Sequence, residues 1–216
     1  MSHKVGVLLS GCGYLDGAEI HESVCTLLAL DEAGVEAICM ATDTEFDVVN
    51  HITEEPTGER RNVLVEASRI ARGKIREVKD VSADELDALV LPGGYGAAKN
   101  LSDFAMKGTG MTVDPDVESL VKNVHAAGKP IGAICIAPAI ISKLLPGVSL
   151  TIGNDADTAA ALESMGTSHC ECAVTDFVVD KENKVVSTPA YMLGPWVNDV
   201  HQGIRKCVQE TLAMVG

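Results

Sequence analysis

The sequence predicts an α/β fold: a single domain over residues 1–216 with a mostly parallel sheet, helices on both faces, and a nucleophile elbow. Three observations carry this. Short apolar runs alternate with helical stretches along most of the chain, the opening segments form a βαβ unit, and a strand-to-helix turn stands at Cys135.

Val5 to Leu9 is an apolar run that leads into the loop Ser10-Gly11-Cys12-Gly13-Tyr14-Leu15-Asp16-Gly17. A helix is expected from Ala18 to Ala33, with Ile20, Val24, Leu27 and Leu28 as its buried stripe at helical spacing. Gly34 ends it, and Val35 to Met40 is the next strand. Residues 43–62 read as polar and irregular, with a turn at Pro56-Thr57-Gly58. A helix over 63–71 and a short strand over 74–78 follow. Leu86 to Leu91 is a strand that runs into the glycine-rich turn Pro92-Gly93-Gly94-Tyr95-Gly96, and helical segments then lead to the elbow. Beyond the elbow, Val148 to Ile152 reads as a strand and Asp155 to Met165 as a helix. A hairpin spans 177–187, and Asn198 to Met214 is the closing helix.

The stretch Lys129 to Ile140 has the strongest chemical signature. An apolar run too short for a helix ends at Cys135, small residues sit two before and two after it as Ala133 and Ala137, and Pro138 suits the first turn of a helix. A sharp turn of this kind lifts a nucleophile off a sheet, and only small neighbours avoid collision. A helix N-terminus beside the sulfur favours thiolate. A buried, inert thiol at the end of a core strand fits the same residues, and both readings stay open on this stretch alone.

The totals narrow the partners. Lys plus Arg number 17 against 31 Asp plus Glu, a formal charge of -14 that repels phosphate backbones and anionic membranes, so neither nucleic acid nor a membrane is expected as a partner. Aromatic residues are 3%, too few to stack single strands. No apolar run is long enough to cross a bilayer and no secretory leader is evident, so the expected compartment is the cytoplasm. Seven cysteines without framework spacing then read as thiols. No organic cofactor and no metal is expected.

Three loops follow strands, at Gly11 to Gly17, at Gly93 to Gly96 and at Cys135, and a parallel sheet would open all three on one edge. There the N–H groups of Gly94 and Ile136 are candidates for an oxyanion hole. Gly11-x-Gly13 is a weak dinucleotide signal, with Asp43 as the ribose partner, because Tyr14, Leu15 and Asp16 delay the helix. Glu22 suits a general acid/base if burial raises its pKa, yet a helical wheel turns it away from the apolar stripe towards solvent. His169-Cys170-Glu171-Cys172 is spaced too tightly for an ordinary zinc site. Cys12 is a second loop thiol, while Cys25, Cys39 and Cys207 read as core filling.

Gly11-Cys12-Gly13 with Asp16 to Glu22, Pro92-Gly93-Gly94 with Gly96 to Leu101, Cys135-Ile136-Ala137-Pro138, and Thr188 to Met192 together resemble the ElbB family. These are the enhancing-lycopene-biosynthesis, or isoprenoid-biosynthesis, proteins with an amidotransferase-like domain, in the PfpI and class I glutamine amidotransferase-like superfamily. The resemblance implies a flavodoxin-like sandwich, commonly a homodimer, with Cys135 as nucleophile. The superfamily glutamate that bonds to the nucleophile falls on Glu22, within Gly17-Ala18-Glu19-Ile20-His21-Glu22. Ile136 stands where PfpI-type proteases carry histidine, and no late His-x-Glu pair completes an amidotransferase triad, with His169 the best substitute. The leading expectation from the resemblance is a glutathione-independent glyoxalase that converts small 2-oxoaldehydes (methylglyoxal, glyoxal) to 2-hydroxy acids. The alternatives are a redox-sensing or partner-binding dimer with an oxidisable Cys135, and a glutaminase associated with isoprenoid biosynthesis.

Overall fold

In the computed structural model, which describes residues 3–194 and 196–216, seven strands form a central sheet. The elements in chain order are β1 (Lys4–Leu8), α1 (Ile20–Glu32), β2 (Glu36–Ala41), β3 (Glu45–Val49), β4 (Pro56–Asn62), α2 (Val63–Ile70) and β5 (Arg76–Glu77). Then come β6 (Ala88–Leu91), α3 (Tyr95–Lys99), α4 (Phe104–Lys107), α5 (Pro115–Ala126), β7 (Ile131–Ile134) and α6 (Pro138–Leu144). The chain finishes with β8 (Ser149–Leu150), α7 (Ala156–Ser164), β9 (Ser168–His169), β10 (Val178–Asp180), β11 (Val185–Thr188) and α8 (Val197–Ala213).

The sheet order is β10-β11-β7-β6-β1-β2-β5, and every neighbouring pair is parallel except β10 with β11. Strands β6, β7 and β11 are buried along their whole length, as strands covered on both faces must be. Alternation then divides the core. Leu89 and Leu91 of β6 join Val117, Leu120 and Ile140 on one face, while Ala88 and Val90 join Leu30, Val200 and Ile204 on the other. This is the mostly parallel, flavodoxin-like sandwich. Among the described residues no helix is long and apolar enough to cross a membrane.

Several expectations change. The stretch expected to be irregular contains the ribbon β3–β4, with Pro56-Thr57-Gly58 in its second strand and the turn at residues 50–55. Its first strand alternates, with Phe46 and Val48 buried between exposed Glu45 and Asp47, but β4 is exposed and has no apolar pattern, and Arg60 pairs with Glu45 and Asp47 across the ribbon, each at 3.5 Å. β8 is two residues long and pairs with β9 outside the main sheet. Helix α1 buries a face other than its expected apolar stripe, of which Leu27 is partly packed on the core. Ile20, Val24 and Leu28 are 42–50% exposed, and Glu22, Ser23, Cys25, Thr26, Ala29 and Leu30 are buried. Small and hydroxylated side chains let α1 pack closely on α8 and on the sheet face at β2, and Ser23 and Thr26 satisfy their hydroxyls on the carbonyls of Glu19 and Glu22.

Candidate active site

The centre of the sheet decides where the site forms. β6 lies between β1 and β7, with β11 beyond β7, so the loops after these four strands open side by side at their carboxyl ends. Cys135 follows β7 directly with φ of +61°, a left-handed conformation that costs a non-glycine residue roughly 1–3 kcal/mol and that the elbow reading requires. Its N–H donates to the Thr188 carbonyl at 2.9 Å, tying the elbow to the end of β11. Ala137 and Pro138 then begin α6 with both side chains buried.

The neighbouring turn permits this closeness. A Cβ on Gly93 would stand 2.5 Å from the Cys135 Cβ and 2.7 Å from Glu22 Oε2, so the position admits no side chain. Gly94, at φ of +94°, presses its backbone against Gly17 and Glu19 of the first loop. The N–H groups of Gly94 and Ile136 are both directed at the Cys135 sulfur. The two donors proposed for an oxyanion thus face the nucleophile itself in the resting site.

Glu22 is fully buried beneath the elbow and hydrogen-bonds the Cys135 thiol. Gly93 N–H donates to its Oε2 at 2.9 Å and Tyr191 N–H to its Oε1 at 3.3 Å. The wheel argument for solvent exposure fails here because the apolar stripe of α1 is the outward side. Loss of solvation pushes the Glu22 carboxyl up to about 8, with the nearby Glu19 charge as the second cause, so it holds a proton at neutral pH. Burial also pushes the Cys135 thiol well above its ordinary value, and the Glu22 charge adds to this. That reverses the expected thiolate: α6 is a short helix, and its N-terminal field is outweighed by desolvation. The two groups titrate as a pair, and a protonated Glu22 removes the repulsion that holds the thiol neutral.

A cavity of about 640 Å³ opens over the sulfur. Glu19, His21 and Tyr191 form its polar wall, with His21 Nδ1 2.7 Å from Tyr191 Oη. Glu19 caps α1 by accepting the Glu22 N–H at 2.7 Å, and burial raises its own pKa. Tyr191 was legible only as part of a family-like segment. The signal that marks it as a site residue is its place just beyond β11, which requires knowing that β11 lies beside β7.

Two candidates lie elsewhere. His169 sits on β9, accepts the Ile152 N–H at 3.3 Å and does not line this cavity, so the histidine at the site is His21. Cys12 lines a separate cavity with Asp16, His51 and Arg61, and burial with the Glu66 charge raises its pKa. The Gly11–Gly17 loop spends its donors on itself, with Gly13 N–H on the Ala18 carbonyl and Gly17 N–H on the Gly13 carbonyl, and Asp43 binds Asn62. That arrangement speaks against a dinucleotide phosphate there. Among the described residues no group of three or more His, Cys, Asp or Glu side chains is placed to hold a metal. Cys25, Cys39 and Cys207 are buried thiols packed in the core.

Known proteins share this arrangement of elements. The chain is 43% identical to the human protein named glutamine amidotransferase-like class 1 domain-containing protein 3, mitochondrial, over 99% of this chain and 84% of that one. The crystal structure of an isoprenoid biosynthesis protein with an amidotransferase-like domain from Ehrlichia chaffeensis superposes with a TM-score of 0.92 at 35% identity, covering all of both chains. That match bears out the ElbB resemblance. Glyoxalase III from Candida albicans shares the fold at a TM-score of 0.65 and 15% identity, over 99% of this chain and 98% of that one. Residues 12–190, which run from the first glycine loop through β11 to the residue before Tyr191, match the DJ-1/PfpI family, and the chain belongs to that family.

Proposed function

We propose that the protein is a glutathione-independent glyoxalase-like enzyme in which Cys135 and Glu22 convert a 2-oxoaldehyde and water to a 2-hydroxy acid. The observation that carries this reading is a buried carboxyl bonded to the sulfur of a strained elbow cysteine at the floor of a cavity. The reactive form holds one proton on the Cys135–Glu22 pair. As sulfur bonds to the aldehyde carbon, the thiol proton passes to Glu22 and from it to the former carbonyl oxygen, giving a hemithioacetal. Glu22, again a carboxylate, removes the hydrogen on that carbon as a proton, and the electron pair moves to form an enediol. Return of the proton to the adjacent carbon, as the hydroxyl proton on the sulfur-bearing carbon passes to the neighbouring oxygen, leaves a thioester, so one carbon is oxidised and its neighbour reduced with no external oxidant. Water then breaks the carbon–sulfur bond, releasing the 2-hydroxy acid and the thiol. The N–H groups of Gly94 and Ile136, released from sulfur as it bonds to carbon, hold the developing oxyanion.

Glu22 is suited to this cycle because a carboxyl near pH 8 both gives and takes a proton close to neutrality. On this account kcat/KM rises as pH passes through about 8, where the pair goes from two protons to the reactive one. The test is methylglyoxal loss and lactate formation by wild type, Cys135→Ser and Glu22→Gln, without glutathione or added metal. Lactate from wild type and loss by at least 100-fold in both folded variants supports the roles. Full activity in Cys135→Ser refutes them.

The proposed assembly is a homodimer through the outward face of α1. Between Ile20 and Leu28 its exposed residues are Ile20, His21, Val24 and Leu28, with no carboxylate among them in a chain of net charge -14. Two copies therefore meet there without like-charge contact. The cytosol is the proposed compartment, although the human relative carries a mitochondrial designation in its name.

A further inference from the structure

The cavity over Cys135 is much larger than the smallest substrates of the proposed reaction. Methylglyoxal has five heavy atoms. Even at roughly 30 Å³ each, the share of a whole water molecule in the liquid, it fills about 150 Å³. About 640 Å³ is present, which lies in the range that takes ligands of drug size.

The walls show what the remaining space suits. Tyr14, Tyr95, Ala98, Phe104, Ile136 and Met192 face it, so water filling it would gain few hydrogen bonds. Of the polar side chains, His21 and Tyr191 are engaged with each other and Glu19 with the N–H of Glu22, and Thr158 adds one uncharged hydroxyl. Among the described residues no lysine or arginine lines the cavity. Lys99, which lies 5.2 Å from the Tyr95 ring centroid, donates to the Leu15 carbonyl at 3.0 Å. An anionic substrate would thus meet carboxyl groups and no free cation, whereas an uncharged apolar substituent would meet aromatic and aliphatic surface.

We infer that the cavity selects uncharged carbonyl compounds bearing an apolar chain or ring of at least about five carbons, for which the roughly 490 Å³ beyond methylglyoxal is ample. This rests on the glyoxalase reading for its chemistry, and it makes a long-chain or aryl 2-oxoaldehyde the preferred substrate over methylglyoxal.

An alkyl series tests it, because lengthening the chain leaves the reacting carbonyls electronically alike. Methylglyoxal, 2-oxohexanal and 2-oxooctanal are compared for kcat/KM, with phenylglyoxal as the aryl case. A buried methylene contributes about 0.8 kcal/mol, or about fourfold, and the eight-carbon aldehyde is expected to exceed methylglyoxal by at least about 30-fold, through KM. Ala105→Trp, which narrows the cavity from an exposed position on α4, lowers the ratio of the eight-carbon to the three-carbon substrate by at least about tenfold. A second arm needs no turnover: 2-octanone and acetone are compared for protection of Cys135 against iodoacetamide, read by mass spectrometry. Protection by 2-octanone at a tenfold lower concentration supports the selectivity even if no aldehyde reacts, an outcome that would end the glyoxalase reading alone. A flat or falling kcat/KM series with equal protection by both ketones overturns the inference and leaves the glyoxalase reading intact.

Discussion

Replacing Glu22 with glutamine should change how stability depends on pH, by an amount the burial of this one carboxyl sets. Its pKa moves from an ordinary 4.5 to about 8 in the folded chain. Between those values the folded state keeps the proton and the unfolded state loses it, so the unfolded state binds fewer protons and stability falls as pH rises. The cost is absent below pH 4.5, grows by about 1.4 kcal/mol per pH unit, and is complete above about pH 8. From pH 5 to pH 8 it amounts to about 3 to 4 kcal/mol. Glutamine has no proton to lose. Its amide nitrogen, however, cannot accept the N–H bond that one carboxylate oxygen takes from Gly93 or Tyr191, and one lost partner costs about 1–2 kcal/mol. Glu22→Gln is therefore less stable than wild type at pH 5 and more stable at pH 8. Urea unfolding of both proteins at half-unit steps gives the difference, which includes the smaller change in the Cys135 thiol that the Glu22 charge raises. In thermal scans the crossover should span roughly 6–15 °C. Parallel curves for the two proteins across this range would refute the account of a buried, protonated Glu22.

Gly93→Ala places a methyl group 2.5 Å from the Cys135 Cβ and 2.9 Å from the Ile134 carbonyl oxygen, so the elbow must shift. The expected cost is about 1–3 kcal/mol of stability and about 100-fold in kcat, checked by thermal unfolding and turnover; activity within threefold of wild type would contradict the packing described. Val24→Glu with Leu28→Glu puts carboxylates on the outward face of α1, where light scattering should read twice the chain mass for wild type and a single chain for the variant. A wild type that scatters as a single chain at micromolar concentration would remove that face as a dimer interface.

Local pattern specifies part of the fold, and that part is legible in the sequence. β6 and β7 are uninterrupted apolar runs because both faces are covered, and the Ala-x-Cys-x-Ala-Pro spacing at 133–138 reports the steric demands of the elbow within a few residues. Asp155 marks the start of α7 by accepting the Thr158 N–H, a contact confined to one turn. Such signals lie in the sequence because the interactions behind them span only a few residues.

What the sequence could not decide depends on groups far apart in the chain. The apolar residues of α1 follow helical periodicity, but which side is buried depends on the close approach of α8 and the sheet face, which favours Ser23, Thr26 and Ala29 and leaves Val24 outside. The ribbon β3–β4 is only half coded: Phe46 and Val48 alternate with polar residues in β3, whereas β4 is exposed and carries charge pairs in place of an apolar pattern. The order β11-β7-β6-β1 brings Tyr191 and Glu22, 169 residues apart, into one hydrogen bond at the elbow. The sequence by itself determined the class of fold, the turn that presents Cys135 and, through resemblance, the candidate Glu22. The tertiary structure alone decided that Glu22 is buried and protonated, that His21 and not His169 reaches the cavity, and how large that cavity is. Solvation and proximity are properties of the assembled sheet, and no local stretch of chain carries them.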